Sequence, residues 1–266
     1  MKPNYGNWIS VSMMKTLCAI AAVLYVLTLG CALFFSTEAS FYILAILSGA
    51  ATFVVIYMYY CRRVFSFEGG GLMRRIHSYL LDQLPWDGSG TALDIGCGSG
   101  ALTIAVAKKF PLAQVQGIDY WPAMWNYGKE QCEGNAAAEG VADRCAFRHG
   151  DAAQLDFPDN HFDAVVSNFV FHEVRTQKDK FMLVEESLRV LKKGGAFALH
   201  DTFENLSLIH ISEPRDLYGK MDEFITYLKE KGISDISYLP HSERRIDMPL
   251  PVRFMLRGMG ILYGTK

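Results

Sequence analysis

Residues 91–110 read "TALDIGCGSGALTIAVAKKF". An acidic residue, Asp94, stands just ahead of three alternating glycines, Gly96, Gly98 and Gly100. An apolar run with helical spacing follows. The stretch predicts a buried strand, a glycine loop and a helix. Glycines at such a turn let the backbone approach a nucleotide-like cofactor closely.

Downstream, strand and helix alternate. "QVQGIDY" (residues 114–120) reads as a strand ending at Asp119, and residues 124–140 as a helix closed by Gly140. "RCAFRHGDA" (144–152) is a strand ending near Asp151, and "FDAVVSNFVF" a strand running to about Asn168. Residues 178–195 predict a helix with a glycine stop, "AFALHDT" (196–202) a strand and residues 217–232 a further helix. Residues 233–240 and 254–266 read as two final strands. This order predicts an α/β fold, a doubly wound and mostly parallel sheet covered on both faces. Ligands in such sheets bind at the carboxyl ends of the strands. Residues 206–215, "LSLIHISEPR", break the rhythm and read as an insertion.

Two cofactors compete for the loop. Gly96, Gly98 and Ala101 satisfy a dinucleotide fingerprint, and Asp119 lies where a ribose carboxylate of NAD belongs. Against this, Asp94 occupies a strand-end position that dinucleotide folds give to an apolar residue. A carboxylate there repels a pyrophosphate, which wants bare N–H groups. A sulfonium cofactor with a free ammonium group is cationic, so Asp94 welcomes it. Asp119 then accepts hydrogen bonds from ribose hydroxyls, and Asp151 one from an adenine amino group.

The set "LDIGCGSG", "GIDY", "GDAAQLDFPDNHFDAVVSN" and "LRVLKKGGAFALHDT" resembles the class I S-adenosylmethionine-dependent methyltransferases, in particular their small-molecule, ubiquinone/menaquinone-methyltransferase-like branch. The resemblance covers roughly residues 67–266. It implies a Rossmann-like sheet of seven strands with an antiparallel last strand, and S-adenosyl-L-methionine as cofactor. It implies that Asp94, Ile95, Gly96, Cys97, Gly98 and Gly100 cradle the methionine end. Asp119 would hold the ribose, Tyr120 would flank the adenine, Asp151 and Ala152 would contact it, and Asn168 would close the pocket. Trp121, Trp125 and Tyr127 read equally as packing or as substrate contacts.

Methyl transfer from a sulfonium needs a base only when the acceptor starts protonated. Histidine suits that role near neutral pH. "NFVFHEV" places His172 and Glu173 after the fourth strand, and "LHDT" places His200 and Asp201 at the end of the fifth. His172 is the preferred catalytic base.

The 266 residues carry a net charge of −2, so nothing predicts a nucleic-acid partner. The six cysteines, Cys18, Cys31, Cys61, Cys97, Cys132 and Cys145, form no CxxC pair, and none has zinc spacing with a histidine. They read as reduced thiols, and no metal site is expected; Cys132 and Cys145 remain an alternative thiol site for a metalloid.

Half of the residues are hydrophobic, and the N-terminal quarter holds a large share. Residues 16–35 and 41–60 are uncharged runs of about 20 residues, enough to cross a bilayer. Lys2, Lys15, Arg62 and Arg63 flank the pair, so both ends are expected on the cytoplasmic side. The alternatives are a signal peptide cut after Ala39, or a buried soluble hairpin. "SGAA" (48–51) offers small residues for close helix approach. Arg74 and Arg75 read equally as contacts to lipid headgroups or as a solvated helix face. The expected organisation is a cytoplasmic segment at 1–15, a transmembrane hairpin at 16–61 in contact with lipid, a linker with an amphipathic helix at 62–90, and a methyltransferase domain at 91–266. A small, lipophilic acceptor suits an enzyme held at a membrane. A soluble acceptor and a non-catalytic tethered module are the alternatives.

Overall fold

The computed structural model describes residues 2–34, 38–121, 128–204, 220–233 and 235–266. Trp125, Tyr127 and the insertion at 206–215 lie outside them. The chain forms two compact units, Gly6–Leu72 and a second built from Met1–Tyr5 with Met73–Lys266.

The first unit is a helical hairpin, α1 (Val11–Phe34) and α2 (Glu38–Phe65). Both helices are long and apolar enough to cross a membrane. Their packing is inverted relative to a soluble pair. Polar groups meet between them: Thr28 Oγ1 and Ser48 Oγ lie 3.0 Å apart, as do Tyr25 Oη and Thr52 Oγ1. Val26, Leu29, Ile46, Phe53 and Ile56 point outward and are exposed. Ser48, from the small-residue run, is buried against α1 of the same chain. A soluble core reverses this distribution, because apolar surface leaves water.

The second unit holds a seven-stranded sheet in the order β3-β2-β1-β4-β5-β7-β6. The strands are β1 (Gly90–Ile95), β2 (Ala113–Asp119), β3 (Cys145–His149), β4 (Phe162–Asn168), β5 (Leu191–Asp201), β6 (Asp235–Pro240) and β7 (Gly260–Thr265). The first five are parallel, and β7 runs antiparallel to both β5 and β6. The helices are α3 (Leu72–Asp82), α4 (Ala101–Lys109), α5 (Lys129–Ala138), α6 (Phe181–Val190), α7 (Met221–Glu230) and α8 (Leu250–Met255).

Strand periodicity sorts the core. Leu93, Ile95, Val165, Phe197 and Leu199 pack on one face, with α6 and α7. Ala92, Ala164, Val166, Ala196 and Ala198 pack on the other, with α4 and α5. Residues two apart share a face, so Asp94 belongs with Ala92, on the α4 side. The chain order reverses between β1 and β4. This switch point opens a crevice at the carboxyl edge.

Three expectations are corrected. The helix expected over 178–195 ends at Val190, and β5 starts at once with Leu191. Leu191 is buried and pairs with Phe162, while Lys192 bonds Asp163 at 2.8 Å, so the strand captures residues that composition assigns to the helix. The register then shifts between Phe162 and Ala164, and Gly194 adopts a positive φ of 77°. The two glycines serve this irregularity in the strand rather than a helix stop. The strand expected from Phe254 begins only at Gly260. Pro249 caps α8, whose Val252 and Met255 are buried at helical spacing. β3 stops at His149, leaving Asp151 in a short turn bridged to Gln154.

α3, read above as part of a linker, belongs almost wholly to the sheet-bearing unit. Its Ile76, Leu80 and Leu84 stripe is buried as the spacing predicts. Arg75 donates from Nε to the Asp247 carbonyl at 2.9 Å.

Candidate functional site

The carboxyl ends of β1, β2, β4 and β5 bring Asp94, Asp119, Asn168 and Asp201 to one edge of the sheet. Gly96, Gly98 and Gly100 all have positive φ, at 73°, 55° and 81°. That region is costly for side chains, and a Cβ on Gly96 would also lie 2.2 Å from Val170.

The loop amides are directed inward. Gly96 and Cys97 both donate to the Ile118 carbonyl, at 2.8 and 2.9 Å, and Gly100 donates to Cys97. Gly98 donates to Asp119 Oδ2 at 2.8 Å. A phosphate-binding nest presents such amides to its ligand. Here they are spent within the fold.

Asp94 is 1% exposed. The Thr103 hydroxyl of α4 donates to its Oδ2 at 2.6 Å, while Oδ1 is buried with no partner among the described residues. Burial and, further on, the neighbouring Asp119 carboxylate raise the Asp94 carboxyl to about 7, against the pull of the Thr103 hydroxyl. Asp119 accepts from Gly98 and, through Oδ1, from the Trp121 amide at 2.6 Å. Burial raises its carboxyl too, although both amides oppose the shift.

Trp121 has a positive φ of 44°, and its indole donates to the Gly98 carbonyl at 2.7 Å. It therefore braces the loop. Tyr120 is exposed beside His149, with ring centroids 5.0 Å apart. Asp151 Oδ1 accepts from the Ala153 amide at 2.8 Å and from Thr176 at 3.1 Å. The Ala152 side chain belongs to the core cluster. Ile95 and Cys97 are buried and offer the loop only their backbones.

On the other side of the crevice, His172 and Asp201 form a buried pair. His172 Nδ1 lies 2.5 Å from Asp201 Oδ1, and Asp201 Oδ2 accepts the Phe171 amide at 2.7 Å. The Thr202 amide adds a bond to Oδ1 at 2.7 Å. Burial pushes the Asp201 carboxyl up, but the His172 charge and these donors outweigh it and hold the carboxyl at about 2. His172 Nε2 is 3.9 Å from Glu173 Oε1.

His200, the other histidine weighed as a base, is taken up structurally. Its Nδ1 meets Asn168 Oδ1 and its Nε2 meets Ser242 Oγ, both at 2.8 Å. Burial lowers it to about 3, so it stays neutral. Asn168 thus turns its amide oxygen toward His200. Between the two histidines stands Phe169, a bulky residue held at a φ of 59°. Such backbone strain concentrates at functional strand ends.

One further contact has no signal in the sequence. Asn4 and Tyr5 lie across the glycine loop and α5. Asn135 Nδ2 donates to the Asn4 and Ser99 carbonyls at 2.8 and 2.9 Å, and its Oδ1 accepts the Asn4 amide at 2.7 Å. Gln131 Nε2 donates to the Asn4 carbonyl at 2.6 Å, and the Ser99 hydroxyl to the Tyr5 carbonyl at 2.9 Å. Backbone groups of Asn4 and Tyr5 carry most of this clip, joined by the Tyr5 hydroxyl, which donates to Glu139 Oε1 at 3.0 Å, so residue types at 4 and 5 announce little of it. Asn135→Leu is expected to loosen it by about 2 kcal/mol, since it strips one side chain of three bonds. Faster hydrogen exchange at residues 2–5 and a several-fold weaker cofactor affinity would report the loss.

Residues 93–199 match the family model described as "Methyltransferase domain". They are a class I methyltransferase domain. The demethylmenaquinone methyltransferase of Staphylococcus aureus is 34% identical over 138 residues, 49% of this chain. The chain spans about half the length of the curated relatives it matches, 53% in that case. Among solved structures, the 4+2 cyclase SpnF aligns with a TM-score of 0.55 at 22% identity, over 72% of this chain and 80% of that one. Geranyl diphosphate C-methyltransferase of Streptomyces coelicolor, solved with Mg2+, geranyl diphosphate and S-adenosyl-L-homocysteine, aligns with a TM-score of 0.55 at 15% identity, over 74% and 80%. At these identities the likeness is one of fold. The matched residues carry β1 to β5, and the seven-stranded sheet with its antiparallel last strand is the fold that the aligned structures support. Two surface hollows, along Gln154–Pro158 and at the amino ends of β1, β2 and β3, lie apart from Asp94 and His172.

Proposed function

We propose that this protein transfers a methyl group from S-adenosyl-L-methionine to a small, lipophilic acceptor at the cytoplasmic face of a membrane. One observation carries the cofactor reading. Asp94 Oδ1 is a buried acceptor with no partner among the described residues, beside a loop whose Gly96, Cys97, Gly98 and Gly100 amides are already spent. The residues therefore fit a cationic group better than a pyrophosphate. Asp94 would hold the cofactor's ammonium, Gly96, Gly98 and Gly100 would give it room, and Asp119 would take the ribose through its remaining lone pairs. Tyr120 and the turn at Asp151 and Ala152 would flank the adenine. When bound, the cofactor supplies an activated methyl group on sulfonium.

The protein's share of the chemistry is to bind, orient and deprotonate. Asp201 holds the proton of His172 on Nδ1, so the ring's lone pair sits on Nε2, which takes a proton from a hydroxyl or amine acceptor. Aligning acceptor and methyl supplies much of the remaining acceleration.

Two observations support action at a membrane. The hairpin exposes apolar side chains and pairs polar ones internally. Basic residues flank both of its outer ends. Asn4 and Tyr5, ahead of the hairpin in sequence, belong to the same compact unit as Met73 onward. The same contact argues for retention of the first helix, because cleavage after Ala39 would remove the clip. The relative in Staphylococcus aureus carries demethylmenaquinone in its name, and a quinone-like acceptor suits this setting.

The test is the full chain in vesicles, given methyl-labelled S-adenosylmethionine and a membrane lipid extract. Label is expected in an organic-soluble product, with S-adenosylhomocysteine formed in equal amount. Cofactor binding without turnover would favour a tethered non-catalytic module. Labelling of water-soluble acceptors alone would overturn the lipophilic reading.

A further inference from the structure

We propose that α8 and the arginines around it form a second membrane contact, a lip that docks on an anionic leaflet beside the active-site edge. The inference rests on the membrane-surface reading above and adds a site of contact outside the hairpin.

α8 lies in the connection from β6 to β7. Pro240 at the end of β6 and Asp201 at the end of β5 both pair with Gly260 at the start of β7. The connection therefore emerges at the edge that carries Asp94, His172 and Asp201. Val252, Met255 and Leu256 bury the inner face of this segment. The outer face is also apolar: Leu250 is 61% exposed and Phe254 53%, one helical turn apart, with Pro251 exposed between them. Other large exposed hydrophobics of this unit, Leu112, Tyr120 and Met182, stand on separate elements.

Charge names the occupant. Arg244, Arg245 and Arg257 are exposed and Arg253 is half-buried, against one exposed acid, Asp247, in the same stretch. Glu243 is buried. An apolar face rimmed by arginine is what an interfacial helix presents to anionic headgroups. Arg75 of α3 donates to the Asp247 carbonyl at 2.9 Å and fastens this stretch to α3. A lipophilic acceptor leaving the leaflet would then meet α8 before His172.

Hydrogen exchange of the full chain tests this in detergent, in phosphatidylcholine vesicles, and in vesicles that also contain phosphatidylglycerol. Exchange across residues 250–257 is expected to slow about tenfold in the anionic vesicles relative to detergent. The double variant Leu250→Ser, Phe254→Ser should lose that protection and keep its cofactor affinity, measured by calorimetry on the same samples. Equal exchange in all three media would overturn the proposal. So would protection in detergent that grows with protein concentration, which marks a second copy as the occupant. Loss of cofactor binding in the wild-type chain would sink the methyltransferase reading alone, because the exchange result does not depend on it.

Discussion

Asp94→Asn is expected to weaken S-adenosylmethionine binding about a hundredfold while leaving the fold intact. Truncating one partner of a buried charge pair typically costs 2–5 kcal/mol, and a factor of one hundred corresponds to about 2.7 kcal/mol. The substituted amide keeps the shape and an acceptor for the Thr103 hydroxyl. What it loses is the charge facing the cofactor's ammonium. The effect should depend on pH. Burial holds the Asp94 carboxyl at about 7 in the folded chain, against 3.8 in the open chain. Between those values the folded state keeps a proton that the unfolded state has lost. Stability of the free protein should therefore fall as pH rises through that window, by on the order of 4 kcal/mol. A cation bound at Oδ1 favours the ionised form. Wild-type affinity should rise with pH up to about 7 and then flatten. Calorimetry across this range should show the rise in the wild type and a flat line in Asp94→Asn. Thermal melts above pH 7 should show the variant at least as stable as the parent. An unchanged cofactor affinity would remove Asp94 from the site.

The second large effect concerns turnover. His172→Asn is expected to lower kcat about 100- to 1,000-fold, with cofactor affinity changed by less than about twofold. The pair with Asp201 keeps the ring proton on Nδ1 and the basic lone pair on Nε2, so the variant lacks a proton acceptor at that point. Asp201→Asn should give a loss of similar size for a different reason. Its amide would donate to Nδ1 and force the opposite tautomer, with the proton on Nε2. Retention of kcat in either would reduce the pair to a packing role. Asp201 also fixes the acid limit of the fold. Its carboxyl, held at about 2, contributes stability that is fully present above about 4 and is lost as pH falls through 2.

Much of this site was legible in the sequence because side-chain type and strand periodicity specify it. Asp94 two positions before Gly96, and Asp119 at the end of the next strand, are local patterns that survive folding unchanged. Pairings were less legible. His172 and Asp201 were both candidates, but nothing in a linear chain joins positions 29 apart. The removal of His200 from the list needed Asn168 and Ser242 beside it. The boundary at Val190 and Leu191 was hidden because tertiary pairing with Phe162 overrides helix-forming composition. α8 was hidden inside a stretch that reads as strand, since its exposed residues are as apolar as its buried ones.

The clip at Asn4 and Tyr5 sets an order of events during synthesis. These residues leave the ribosome well before Asn135, which follows Asn4 by 131 positions. Both long apolar helices must emerge before the clip has anything to hold. The segment at Asn4 therefore has to wait, and the clip closes late, after β1, α4 and α5 exist. A fusion or reporter placed just ahead of Asn4 would hinder that last step, and the hindrance would register in the glycine loop that the clip crosses.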